Sequence, residues 1–105
     1  MQLDTTYRSL SEKETAVATR ALEKGSSRFE RLLDEPTVLR AVVEKGPEAK
    51  ATLTMNLRGG DVTSLSSGHD LNAVVSEACD KLKVQLVRRR HRREAQRRAG
   101  PDANI

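Results

Sequence analysis

Between Arg88 and Arg98 the chain reads RRRHRREAQRR, seven arginines in eleven residues with Glu94 as the single opposing charge. Arginine presents a planar fork that grips phosphate through two parallel hydrogen bonds and stacks on bases; lysine cannot do the first. The chemistry this run suggests is capture of a polyanion. Residues 80–98 hold nine Lys or Arg against Asp80 and Glu94, a local net of +7, so the rest of the chain sums to −3 within a formal charge of +4. A near-neutral body with one basic end points to nucleic acid. An acidic membrane surface would match the sign of the charge. However, only Val87 and Ala95 are apolar between Val87 and Arg98, too few for the buried face of an interfacial helix.

Other reactive residue types are sparse. Cys79 falls beside Ala78 on the apolar side of a patterned segment, where a buried structural thiol is commoner than a nucleophile. His69 precedes a helix and reads as a cap-region or surface residue. Two histidines and one cysteine without motif spacing do not make a metal site. No enzyme, cofactor or small-molecule substrate is therefore expected. Gly59-Gly60 is followed by neither Lys-Ser/Thr nor a helix, so it is a turn and not a phosphate loop. Tyr7 and Phe29 are the only aromatic residues. Modules that read single strands stack bases on aromatic rings, so recognition here should rest on RNA shape and phosphate positions.

The elements that must carry these residues follow from pattern. At 105 residues the chain is one small domain. Gln2 to Thr6 reads as a short strand. Ser11 with Glu14 forms a capping box and opens a helix. Its apolar positions, Val17, Ala18, Ala21, Leu22, Phe29, Leu32 and Leu33, continue past a weak Gly25-Ser26-Ser27 stretch until Pro36. Thr37 to Glu44 is β-branched and reads as a strand, Gly46-Pro47 as a turn. Lys50 to Leu57 alternates, with Ala51, Leu53, Met55 and Leu57 on the inner face. Arg58-Gly59-Gly60-Asp61 is a tight hairpin turn, and a Ser-rich strand follows to Ser67. Asp70 is the N-cap of a last helix whose stripe is Leu71, Val74, Val75, Ala78, Leu82 and Leu86. Residues 71–98 would span about 42 Å as a helix, with Gly100-Pro101 as its stop. The stripe ends near Val87, so the arginines should project beyond the core. With fewer than three clean heptads, the stripe favours packing on the sheet over a coiled coil, and dimerisation stays open. The fold class is α+β, a β-α-β-β-β-α domain with a four-stranded, mostly antiparallel sheet and two helices on one face. The domain covers 1–98, with a short flexible tail over 99–105.

Ala51-Thr52-Leu53 through Gly59-Gly60-Asp61, then Asp70-Leu71-x-Ala73 and Asp80-Lys81-Leu82-x-x-Gln85-Leu86, resemble the ribosome hibernation promoting factor family, also called ribosome-associated translation inhibitor or sigma-54 modulation protein. The likeness is strongest over residues 44–93. It implies a layout related to double-stranded RNA-binding domains and a seat in the small ribosomal subunit near the decoding centre. Such a protein excludes mRNA and tRNA in stressed or stationary cells. Carried onto this chain, the resemblance assigns RNA contacts to Lys81, Arg88, Arg89, Arg90, Arg92 and Arg93 on the last helix, and to Arg20, Lys24 and Arg28 on the first. Two family positions differ: a tyrosine is Asn72 here, and an acidic residue is Ser76. The chain ends at Ile105, so the second domain of long-form members, and ribosome dimerisation through it, are not expected. The single cysteine and the absence of a long apolar run or a signal-peptide layout fit a cytoplasmic protein. The competing readings are a general double-stranded RNA or chaperone module and a regulatory module that docks an acidic protein.

Overall fold

The structure, a computed structural model, describes residues 1–33 and 35–103, and side chains within 1–33 and 35–92. In chain order the elements are β1 (Gln2–Arg8), α1 (Glu12–Ser27), a 3₁₀ turn (Glu30–Leu32), β2 (Val38–Lys45), β3 (Ala49–Leu57), β4 (Gly60–Gly68) and α2 (Leu71–Ala103). The sheet order is β1-β2-β3-β4. β1 runs parallel to β2, and the other two pairings are antiparallel. The expected β-α-β-β-β-α fold is the one observed.

Period-two patterning drives the sheet. Leu39, Ala41 and Val43 of β2, Ala51, Leu53 and Met55 of β3 and Val62 of β4 all turn inward into one core. Burying each large side chain contributes roughly 1.5–3 kcal/mol. Helix α2 closes that face with Val74, Val75, Ala78, Cys79, Leu82 and Leu86, the stripe expected from sequence with Cys79 added and Leu71 at its margin. β1 reaches Arg8 rather than Thr6, because its parallel ladder with β2 continues through Tyr7↔Val43 and Arg8↔Glu44.

Three expectations need correction. Helix α1 stops at Ser27 instead of continuing toward Leu33. The hydroxyls of Ser26 and Ser27 donate to the carbonyls of Glu23 (3.2 Å) and Lys24 (2.8 Å), competing with the helical ladder three residues back. The chain then turns through the 3₁₀ segment, which lets Phe29 enter the core with no exposed surface. Val17, read as part of the apolar face, is exposed. At the other end α2 extends to Ala103, so the stop expected at Gly100-Pro101 falls inside the element.

Candidate nucleic-acid interface

The start of α1 is fixed by the capping box. Glu14 N donates to Ser11 Oγ (3.2 Å) and Ser11 N to Glu14 Oε1 (3.0 Å). The Lys45 ammonium at the end of β2 donates to the second carboxylate oxygen of Glu14, tying helix to sheet. That hydrogen bond, with help from the Ser11 backbone, holds the Glu14 carboxyl at about 2 rather than its ordinary 4.5. Asp70 caps α2 as expected, its Oδ1 accepting from Asn72 N at 3.1 Å.

With both starts set, Arg20, Lys24 and Arg28 recur every four residues and share one face of α1. They line a groove between the helices, with Gly25 of α1 and Asn72 and Ser76 of α2. Among the described residues no carboxylate lines this groove, and Ser76 stands on its α2 side. Of the three, Arg28 is engaged among the described residues, with Nη1 3.3 Å from Asp80 Oδ1 at the rim. The helices cross closely at Gly25. A Cβ built on Gly25 would lie 2.5 Å from Cys79 Sγ and 2.7 Å from Cys79 Cβ.

The cations of α2 divide into two sets. Lys81, Gln85 and Arg89 stand at four-residue spacing along the outer edge of β4. Lys81 Nζ donates to Leu65 O (3.0 Å) and Gln85 Nε2 to Thr63 O (2.6 Å). Arg89 donates Nη1 to Gly60 O (3.1 Å) and Nη2 to Arg58 O. Lys81 also pairs with Glu77, 3.3 Å away. Lys81 and Gln85 thereby satisfy outward carbonyls that an edge strand would otherwise leave to water, and Arg89 clasps the turn. Lys81 and Arg89, to which the family resemblance assigns RNA contacts, also donate to the protein's own backbone. The second set faces solvent. Arg88, Arg90 and Arg92 are exposed, and Arg88 borders a patch with Lys83, Val84 and Val87. The side chains of Arg93, Arg97 and Arg98 lie outside the described residues.

Arg58 was legible in the sequence only as part of a turn. Gly59, at φ 92°, takes the left-handed position that the two-residue β3–β4 connection requires. This sets Arg58 beside α2 with its side chain 88% exposed. A cation at a hairpin tip carries no sequence signal of its own; only the register of β4 under α2 brings it to the arginine helix.

The remaining reactive residue is inert. Cys79 is 1% exposed, and burial pushes its thiol up to about 11. Among the described residues no group of three or more His, Cys, Asp or Glu is placed to hold a metal, and no helix is long and apolar enough to cross a membrane.

The family model described as sigma 54 modulation protein / S30EA ribosomal protein matches residues 7–94, which takes in the interhelical groove and the first part of the arginine run. The chain belongs to this family. Among solved structures it is similar to the N-terminal domain of Protein Y from Thermus thermophilus, with a TM-score of 0.69 and 23% identity over 84% of this chain and 98% of that one. It is also similar to a ribosomal subunit interface protein from Coxiella burnetii, with a TM-score of 0.68 and 16% identity over 87% and 99% of the two chains. At these identities the likeness is one of fold. No curated protein matches the chain.

Proposed function

We propose that this protein is a ribosome-associated translation inhibitor, a hibernation factor that binds small-subunit ribosomal RNA near the decoding centre and excludes mRNA and tRNA. Family membership supports the ribosome as partner. The observation that carries the RNA reading is the set of exposed basic side chains on both helices. Arg20 and Lys24 line a groove without a carboxylate, and Arg88 and Arg92 stand exposed farther along α2. A rigid helix holding guanidinium groups at fixed intervals suits phosphates whose positions are set by RNA folding. With Tyr7 in contact with Thr19 and Phe29 fully buried, neither aromatic is placed to stack a base. The protein would act in the cytoplasm, with no catalytic step: occupancy of the channel is the inhibition.

Sedimentation with purified small subunits tests this. Binding is expected at low salt, falling steeply as salt rises, because each neutralised phosphate adds roughly 0.7–0.9 to the slope of log affinity against log salt. Replacing Arg20, Lys24, Arg88 and Arg92 together by Gln should abolish co-migration with the fold intact. Equal competition by an unrelated RNA hairpin would favour a general RNA module. A complex that survives nuclease would favour an acidic protein partner. No co-migration at low salt would overturn the ribosome reading.

A further inference from the structure

We infer that Arg58, at the tip of the β3–β4 turn, is a further RNA-phosphate-binding residue, widening the α2 footprint sideways across the hairpin; this rests on the ribosome reading above. Two observations combine. The backbone of Arg58 is held from both sides: its N–H donates to Glu35 Oε1 at 3.0 Å, and its carbonyl accepts from Arg89 Nη2. Its side chain, by contrast, is 88% exposed. Its ion pair among the described residues is long, Nε to Glu35 Oε2 at 3.9 Å, and at that exposure contributes little. A rigidly mounted backbone carrying a solvent-facing guanidinium is what a preformed phosphate contact requires.

The surroundings make the placement electrostatically unfavourable in the free protein. The Arg89 guanidinium lies across the turn, where a Cβ on Gly59 would come within 3.3 Å of Nη2. Arg92 follows Arg89 by three residues on α2 and so faces the same side. The nearest acid in the turn, Asp61, belongs to the opposite sheet face, because its neighbour Val62 is turned into the core under the helices. Arg58 and Arg89 therefore converge at the turn with Arg92 one turn further along the helix; among the described residues Glu35 is the acid paired with Arg58, and an anion relieves the repulsion between the guanidinium groups. Arg89 spends its fork on the turn carbonyls and so acts as the positioning residue, while Arg58 and Arg92 make the contacts. The solvated reading, in which Arg58 merely keeps a hairpin tip soluble, predicts no effect on RNA binding.

The test compares full-length wild type, Arg58→Gln and Lys50→Gln for binding to purified small subunits at several salt concentrations, with a thermal melt of each. Lys50 is an exposed cation on the sheet face away from the helices, so its loss controls for net charge. The inference expects Arg58→Gln to weaken binding by roughly three- to tenfold and to lower the salt slope by about one, with unchanged melting and with Lys50→Gln like wild type. If wild type binds and Arg58→Gln matches it in affinity and slope, Arg58 is no contact and the ribosome reading stands. Equal losses in the two variants would reduce the effect to net charge and overturn the inference as well. If wild type itself fails to bind at low salt, the ribosome reading falls and takes this inference with it.

Discussion

Arg89 and Arg92 differ in sequence only by position, yet their environments assign them different work. Arg89 donates to two carbonyls of the β3–β4 turn, whereas Arg92 is exposed on the projecting part of α2. Arg89→Gln should therefore lower stability, by about 1 kcal/mol given its exposed setting, a shift that thermal or urea unfolding resolves. Arg92→Gln should leave unfolding unchanged and act on binding to the small subunit alone. If Arg89→Gln unfolds like wild type, the guanidinium fork is not holding the turn. The arginine run was legible as a phosphate-gripping element. The exception at Arg89 was not, because it depends on the β3–β4 turn lying against α2, and that is a property of tertiary packing. Asn72 and Ser76 were legible only as departures from a family pattern; the structure places both in the cationic groove.

At the scale of elements, strands and capping signals were readable because each depends on neighbours close in sequence. Ser11 and Glu14 act on adjacent backbone, and the alternation of β3 needs only a period of two. The end of α1 was harder. Gly25-Ser26-Ser27 read as a weak stretch within a longer helix, whereas Gly25 is the point at which α1 crosses Cys79, and the two serines terminate the helix. Helix propensity alone would make Gly25→Ala stabilising by up to about 1 kcal/mol. The contact with Cys79 reverses that sign, since overpacking costs typically 1–3 kcal/mol. Gly25→Ala should melt at a lower temperature than wild type, and Gly25→Ala combined with Cys79→Gly should recover part of the loss attributable to the clash. A higher melting temperature for the single variant would show that the helices separate without cost.

Across the whole molecule, the sheet and both helices share one core, so a tie between distant elements affects global stability. Glu14 and Lys45 form such a tie, joining the N-terminus of α1 to the end of β2. In the unfolded chain the Glu14 carboxyl titrates near its ordinary 4.5; in the folded protein it is held at about 2 by Lys45 and Ser11. The folded state thus binds fewer protons between these values. The contribution is complete above about pH 4.5 and is lost as pH falls toward 2. Unfolding followed from pH 6 to pH 2 should show this loss in wild type and a shallower decline in Glu14→Gln. Identical profiles would mean that the pair does not bear on folding.

The row of Lys81, Gln85 and Arg89 also bears on solubility. A four-stranded sheet has two open margins, and each can recruit a strand from another molecule. Along the open side of β4 the carbonyls of Thr63 and Leu65 are already occupied by side chains of α2. At β1 the deterrent is different: exposed, charged Asp4 and Arg8 make addition of another strand unfavourable. One helix therefore carries the arginines that reach outward and the polar side chains that keep copies of the protein from stacking into a continuous sheet.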